Sequence, residues 1–160
     1  GYRRIGFLGG PRAATSTEDR LQGLRDALAQ RADVQLITGF AEAYSFDAGR
    51  RAMQGLLAAG IEAEAWFGGD DILSIGAMSA LADAGRRVPQ DVGVLGMNDM
   101  EMAGWPTINL TTIRQPIPEI VRASIDCIVA SMSEGAEMPR GRLFDCRIVE
   151  RGSLRPLARS

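Results

Sequence analysis

Residues 65–99 decide the fold, because they contain two copies of one pattern. The first copy reads Ala-Trp-Phe-Gly-Gly-Asp-Asp at 65–71, and the second reads Val-Gly-Val-Leu-Gly-Met-Asn-Asp at 92–99. Each is a short apolar run that ends in small and polar residues, which is typical of a strand buried on both faces. Ligands of open parallel sheets bind beyond the carboxyl ends of the strands. The sequence therefore predicts a binding site at Gly69, Asp70 and Asn98.

Strand and helix patterns alternate on both sides of this stretch. Apolar runs predict strands at 3–9, 34–39, 65–68 and from 92, with helical spacing of leucines and other apolar residues between them. The spacing of Thr15 and Glu18 predicts a capping box at the start of the first helix. Strict alternation of this kind predicts an α/β fold with a doubly wound parallel sheet. Farther on, the pattern predicts a short helical turn near 99–105, an extended segment at 110–115, an amphipathic helix from 117 to about 132 and a last strand at 143–149.

The composition is that of an ordinary soluble globular domain and excludes several functional classes. The chain has 160 residues, of which 46% are hydrophobic and 24% charged. A net charge of −2 gives no electrostatic reason for this segment to bind nucleic acid or an anionic membrane. The longest apolar runs are too short for a membrane span, and no targeting segment is recognisable.

The residue types that are missing limit the possible chemistry. The sequence has no His, and all 18 basic residues are Arg. Imidazole catalysis, imidazole metal sites and lysine Schiff bases are therefore impossible here. Cys127 and Cys146 have no metal-ligand spacing and are expected to be small buried residues in a reducing compartment. We expect no catalytic residue, no metal site and no cofactor.

Each candidate site residue has a structural alternative. Asp70 either caps a helix or also orders a ligand, and Asp71 is expected to be mainly a cap. Asn98 either bonds its own turn or presents its amide to a polar ligand. Arg20 is expected in the first turn of a helix, where the dipole disfavours a cation, so a directed role is favoured over a surface position. Tyr44 is either a residue packing on its helix or an aromatic platform over a ligand.

Six segments, in order along the chain, carry a family resemblance. They read Tyr-Arg-Arg-Ile-Gly-Phe-Leu-Gly-Gly-Pro at 2–11, Arg-Leu-Gln-Gly-Leu at 20–24, Phe-Gly-Gly-Asp-Asp at 67–71, Val-Pro-Gln-Asp-Val-Gly-Val-Leu-Gly-Met-Asn-Asp at 88–99, Leu-Thr-Thr-Ile-Arg-Gln-Pro at 110–116 and Arg-Gly-Ser-Leu-Arg-Pro at 151–156. Together they resemble the lactose-repressor (LacI) family of bacterial transcriptional regulators. The resemblance implies a two-lobed fold, like that of periplasmic sugar-binding proteins, with an effector between the lobes.

The resemblance also implies a division of the chain. Members of the family begin with a helix-turn-helix segment and the first half of the amino-terminal lobe, so this sequence is expected to be a fragment. Residues 1–113 resemble the carboxyl-terminal lobe, 114–144 a segment of the amino-terminal lobe, 145–156 the return, and 157–160 a tail. The apolar face of the helix at 117–132 is then expected to be covered by another chain or by rearranged packing.

Site residues follow from the resemblance position by position. Arg20 resembles the effector-binding arginine and Tyr44 the aromatic stacking residue. Gly69 and Asp70 stand where the family usually has Asn-Asp, and Asn98 stands where it usually has an aspartate. These two departures favour an acidic sugar or a phosphorylated metabolite as effector. The dimer surface is expected on the helix and loop that contain Leu73, Ala77, Ala80, Met100 and Ile108.

The sequence therefore predicts the effector-binding and dimerisation part of a cytoplasmic regulator, in which a small molecule acts on operator DNA through a segment outside this chain. One alternative is a periplasmic sugar-binding protein of a transporter. Another is a magnesium-dependent phosphoryl-transfer enzyme that uses Asp70, Asp71 and Asp99. The lack of Lys and His weighs against the enzyme.

Overall fold

A computed structural model describes residues 1–132 and 141–156. Strands and helices alternate as the sequence predicts. Residues 133–140, which are part of the predicted segment 114–144, and the predicted tail 157–160 lie outside the described residues. The elements are β1 (Arg4–Gly9), α1 (Thr15–Leu28), β2 (Gln35–Phe40), α2 (Phe46–Ala58), β3 (Ala65–Gly68), α3 (Asp71–Asp83), β4 (Gly93–Met97), a 3-10 turn (Glu101–Gly104), β5 (Thr111–Arg114), α4 (Ile117–Ser131) and β6 (Arg147–Val149).

The six strands form one sheet in the order β2-β1-β3-β4-β5-β6. Strands β1 to β5 are parallel, which confirms the predicted doubly wound sheet. The last strand is antiparallel to β5 and shorter than expected, since pairing covers only Arg147 to Val149. Within the described part, no helix is long and apolar enough to cross a membrane.

The core lies between the sheet and the pair α2 and α3. Trp66 and Val94 of the sheet pack with Met53 and Leu81 of the helices, all almost fully buried. The two helices cross at glycines, and an added Cβ at Gly76 would lie 2.2 Å from the carbonyl oxygen of Phe46. The backbones of α2 and α3 therefore touch directly, which larger side chains would prevent.

The carboxyl-terminal segment inserts into the amino end of the sheet at Ser153, which is 1% exposed. The backbone N–H of Val94 donates to the carbonyl oxygen of Ser153 at 2.8 Å. The hydroxyl of Ser153 donates to the carbonyl oxygen of Val94 at 2.6 Å and accepts from the N–H of Thr111 at 2.8 Å. Ser153 thus satisfies three backbone groups of β4 and β5 that the strand ladder leaves unpaired.

Three predictions about helix starts can be compared with the structure. Ser45 caps α2, accepting from the N–H of Ala48 at 3.2 Å. The predicted capping box is wrong, because α1 begins at Thr15 itself and its N-cap, Ala14, has no side chain that can accept a hydrogen bond. Because the helix begins there, Arg20 is its sixth residue and lies in the second turn, where the dipole effect is weaker than in the first.

Two further predictions need correction. Leu73, Ala77 and Ala80 are 0–1% exposed inside this chain, so these three side chains are core residues and cannot contact a partner. The side of α3 that contains these three residues is buried because α3 packs closely against α2. Cys146 is exposed rather than buried, since the sheet pairing begins only at the next residue, and Cys127 is half-buried.

The apolar face of α4 is uncovered in the described part of the chain. None of its residues is buried, and six large apolar side chains between Ile117 and Met132 are 50–82% exposed. This face comprises Ile117, Val121, Ile125, Ile128, Val129 and Met132.

We expect the 17.2 kDa chain to cover this face by self-association. Light scattering at micromolar concentration should then report a mass above that of a monomer, and paired replacement of Ile125 and Ile128 by Ser should lower the mass. An apolar dye should bind whatever part of the face stays uncovered. A sharply melting monomer that binds no dye would contradict this expectation.

Candidate functional site

The carboxyl ends of the five parallel strands place the candidate residues along one edge of the sheet. Gly10 follows β1, Gly69 and Asp70 follow β3, and Asn98 follows β4. Backbone hydrogen bonds hold these ends in line: the N–H of Gly69 donates to Leu8, and the N–H of Asn98 donates to Ile113, both at 2.8 Å. This is the edge at which open α/β sheets bind ligands.

Tyr44 joins the loops after β1 and β2. Its hydroxyl lies 2.6 Å from the hydroxyl of Thr17 on α1. Its ring lies against Gly10, where an added Cβ would come within 2.4 Å of a ring carbon. It also packs on the small cluster of Ala41, Ala48 and Leu73. The packing role therefore describes Tyr44 in this structure, and Gly10 is needed to accommodate the ring.

Asp70 caps α3, as one of its two interpretations predicted. Its Oδ1 accepts from the N–H of Leu73 at 2.8 Å, and the residue is only 8% exposed. Burial raises the pKa of Asp70, while the Leu73 N–H and the positive charge of Arg20 oppose the increase. The influence of Arg20 on this carboxyl group indicates that the two side chains share one electrostatic environment.

Arg20 is half-buried on α1 and makes no ion pair within residues 1–132 and 141–156. Seven other arginines in this part of the chain pair with carboxylates. A guanidinium that is partly buried without a carboxylate partner is available to an anionic or strongly polar ligand. The directed role of Arg20 therefore rests on its lack of an ion pair and not on the helix dipole.

Asp71 has a different role from the cap that the sequence predicted. It is fully buried, and its carboxylate accepts from the hydroxyl of Thr112 at 2.5 Å and from the N–H of Met100 at 2.6 Å. Gly96 makes room for it, since an added Cβ there would lie 2.2 Å from Oδ1 of Asp71. Burial raises the pKa of Asp71, and the two hydrogen bonds oppose the increase. Asp71 thus ties the start of α3 to β5 and to the loop after β4.

Asp99 anchors the same loop through two arginines. Arg151 donates to its Oδ1 at 2.6 Å, and Arg114 donates to its Oδ2. Burial disfavours the ionised carboxyl group, but the hydrogen bonds from Arg151 and Arg114 outweigh it and hold the pKa of Asp99 below its usual value. Arg151 also donates to the carbonyl oxygen of Leu110 at 2.8 Å. The ion pairs therefore connect three segments far apart in sequence.

The three aspartates proposed for a magnesium site are thus engaged separately. Asp70 caps a helix, Asp71 accepts from Thr112 and Met100, and Asp99 is bound by two guanidinium groups. In the described ranges, no three acidic or cysteine side chains are grouped as metal ligands would be. The arrangement of hydrogen bonds suits the positioning of a loop better than the binding of a divalent cation.

Asn98 lies at the point where β4 ends, in an unusual backbone conformation. Its φ is 105°, and that of Asp99 is 55°, a region that L residues rarely adopt. The side-chain oxygen of Asn98 accepts from Nε2 of Gln115, just beyond β5, at 2.6 Å. The surrounding bonds therefore hold Asn98 in a conformation that its own backbone preference would not select.

Sequence reasoning missed Thr112, Gln115 and Arg151 as partners of the site. Thr112 and Arg151 lie 41 and 52 residues from the carboxylates that they bind, so no local spacing could reveal them. Gln115 lies 17 residues from Asn98. The one available signal was position: Thr112 lies in β5, and Gln115 directly follows that strand.

A model described as "Periplasmic binding protein-like domain" matches residues 1–154, so the chain belongs to this family. It is 33% identical over 155 residues to the ribose operon repressor of Escherichia coli K12, covering 96% of this chain and 47% of that protein. It is 34% identical over 160 residues to the transcriptional repressor CytR of the same strain, covering 98% of this chain and 46% of that protein.

Solved structures of LacI-family regulators share the fold. The lac repressor dimer bound to operator and the anti-inducer ONPF superimposes with a TM-score of 0.87 and 29% identity, covering 96% of this chain and 53% of that chain. A sugar-binding LacI-family regulator from Escherichia coli, complexed with phosphate, superimposes with a TM-score of 0.81 and 28% identity, covering 96% of this chain and 55% of that chain. The resemblance predicted from the sequence is confirmed. The chain spans about half the length of the curated relatives that it matches.

Proposed function

We propose that this chain is the effector-binding and dimerisation part of a DNA-binding transcriptional regulator. The observation that carries the proposal is the sheet edge, where Arg20, Tyr44, Gly69, Asp70 and Asn98 belong to the strand ends and adjoining helices of a LacI-like lobe. Homology to transcriptional repressors over almost the whole chain supports it. Operator DNA would be bound by a segment other than this one, and the regulator would act in the cytoplasm.

In this proposal a small molecule binds between two lobes and changes their relative orientation. Residues 1–113 and 145–156 would form one lobe, and 114–144 would contribute to the other. Arg20 would bind a polar or anionic group of the effector, and Asp70 and Asn98 would bind other polar groups of the effector. Tyr44 is only half-buried by its packing and would also face the effector. Coupling of effector binding to DNA binding is typically worth about 1–3 kcal/mol.

The engagement of Asp70, Asp71 and Asp99 by separate partners supports a binding function over an enzymatic one. We therefore propose no catalytic residue, metal or cofactor. No observation favours the transport receptor over the regulator.

We propose that a homodimer forms through the outer side of α3 and the loop after β4. The core side of the helix is excluded, as described above. The outer side borders a groove of about 740 Å3, lined by Phe46, Met78, Arg87 and Ile108 among others. Met100 and Ile108, both half-buried, remain candidate contact residues.

Replacement of Arg20 tests the effector site. In the intact regulator, Arg20→Ala should weaken effector binding by about 1.5–3 kcal/mol, or about 10- to 150-fold, if Arg20 makes a charge-assisted hydrogen bond. Calorimetric titration with glucose, glucose 6-phosphate, glucuronate, ribose and ribose 5-phosphate would measure the change.

Arg25→Ala is the matched control, because Arg25 is an exposed arginine on the same helix. The effector affinity of Arg25→Ala should stay within about 0.5 kcal/mol of that of the wild type. Equal affinities for the Arg20 and Arg25 variants would make Arg20 a surface arginine. Failure of all five compounds to bind the wild type would contradict the proposal of a sugar or sugar-derived effector.

A further inference from the structure

The hydrogen bond between Gln115 and Asn98 fixes which end of the Asn98 amide is available. Nε2 of Gln115 donates to Oδ1 of Asn98 at 2.6 Å. The Asn98 backbone cannot easily turn to compensate, because its N–H is bonded to Ile113 and its φ is 105°. The oxygen of Asn98 therefore points toward Gln115, and its NH2 group points away.

The free end of Asn98 is thus a hydrogen-bond donor. A side-chain amide has one acceptor oxygen and one NH2 donor group, which lie on opposite sides of the amide. In residues 1–132 and 141–156, Nδ2 of Asn98 has no hydrogen-bond acceptor. An aspartate at this position would instead offer only acceptor oxygens, which suit hydroxyl donors of a ligand.

We propose that Gln115 is a positioning residue that sets the ligand specificity of Asn98. By holding the oxygen of Asn98, Gln115 makes this position a donor, and the cleft selects ligands that bring an anionic oxygen to it over neutral sugars. The anionic group is a carboxylate or a phosphate, and the cationic Arg20 on α1 favours the same charge. This inference rests on the proposed effector function.

The structure gives Gln115 a suitable place for this role. It directly follows β5 (Thr111–Arg114), next to Arg114, which is held by Asp99. It is half-buried, and its side-chain NH2 group donates to Asn98. Replacing Gln115 by Met keeps the length of the side chain and removes its amide, including the NH2 group that donates to Asn98, so the fold should tolerate it.

The experiment measures the preference of the regulator for acidic over neutral sugars, as a ratio of two affinities. Intact regulator is titrated with glucose, glucose 6-phosphate and glucuronate, as wild type, Gln115→Met, Asn98→Ala and the double variant. In the wild type, at least one acidic form should bind more tightly than glucose, and the phosphate and carboxylate forms show which anion is preferred. Gln115→Met should reduce this preference about tenfold, because Asn98 is then free to turn.

The double variant separates positioning from a general structural role. If Gln115 acts through Asn98, adding Gln115→Met to Asn98→Ala should leave the preference unchanged. The proposal would be overturned if Gln115→Met left the preference for acidic ligands intact. It would also be overturned if Gln115→Met reduced this preference equally in the wild type and in Asn98→Ala, or if the wild type bound glucose more tightly than the acidic ligands. Binding of none of the three compounds, nor of ribose or ribose 5-phosphate, would instead contradict the proposed function itself.

A second measurement needs no ligand. In 15N-labelled protein, the side-chain amide signals of Gln115 and Asn98 can be assigned from the two single variants. A held Gln115 amide should exchange its protons with water more slowly in the wild type than in Asn98→Ala. Equal exchange rates would overturn the hydrogen bond on which the proposal depends.

Discussion

Gly76→Ala should destabilise the chain by about 3 kcal/mol, because two helix backbones touch at this position. An added Cβ would lie 2.2 Å from the carbonyl oxygen of Phe46 and 2.8 Å from the backbone N of Arg50. Both atoms belong to the backbone of α2 and cannot move as a flexible side chain would. Overpacking in a dense core typically costs about 1–3 kcal/mol, and a rigid backbone contact belongs at the upper end. Urea unfolding at pH 7 would measure the loss.

Gly55→Ala is the matched control for this prediction. Gly55 lies in the same pair of helices, but an added Cβ would meet nothing within 4 Å. Alanine is preferred over glycine inside a helix by about 0.5–1 kcal/mol, so this variant should be slightly more stable than the wild type. If both variants changed stability in the same direction and by a similar amount, the close approach of α2 and α3 would be contradicted.

Asp99→Ala should also destabilise the chain by about 3 kcal/mol at pH 7. The Asp99 side chain is 5% exposed and accepts hydrogen bonds from Arg151, itself 17% exposed, and from Arg114. Removing the carboxylate leaves a largely buried guanidinium without its partner, and breaking a buried pair typically costs about 3–5 kcal/mol. Exposure of Arg114 at 41% places the expected value at the lower end of that range.

The loss should depend on pH in a defined direction. The folded pKa of Asp99 is lowered, so its contribution to stability is complete above the ordinary aspartate pKa of about 4 and disappears as pH falls through the folded value. Wild type and variant should therefore converge in stability between pH 7 and acid pH.

Asp33→Ala is the control for Asp99→Ala, because Asp33 and Arg31 form an ion pair whose side chains are both more than half exposed, and such pairs contribute little to stability. A stability difference between wild type and Asp99→Ala that stays constant down to pH 3 would assign the effect to packing and not to the ion pairs.

Local patterns were sufficient to predict the sheet, because buried parallel strands and amphipathic helices leave periodic signatures. The cap at Asp70 and the buried position of Trp66 were predictable for the same reason. The shape of the loop after β4 was not. It depends on Asp71, which looks like an ordinary capping residue in sequence but contributes its carboxylate to a strand and a loop that are distant in the chain.

In the candidate site, too, the local positions of residues were predictable and the contacts between distant residues were not. Sequence position placed Asn98 and Asp70 at the carboxyl edge of the sheet, since Asn98 directly follows β4 and Asp70 follows β3 by one residue. The orientation of the Asn98 amide was beyond prediction, because it depends on one donor 17 residues away. The family resemblance assigned the core side of α3 to a dimer surface, because a resemblance marks the helix but does not show which of its faces is buried within the chain.

The insertion of Ser153 has a consequence for biosynthesis. A nascent chain that has emerged only through β5 contains five strands, yet Val94 and Thr111 still lack the partners that Ser153 supplies. Those buried backbone groups stay bound to water until residues near the carboxyl end of this domain are available. Sheet completion therefore follows translation of the return segment, and until then the middle strands of the lobe can still open.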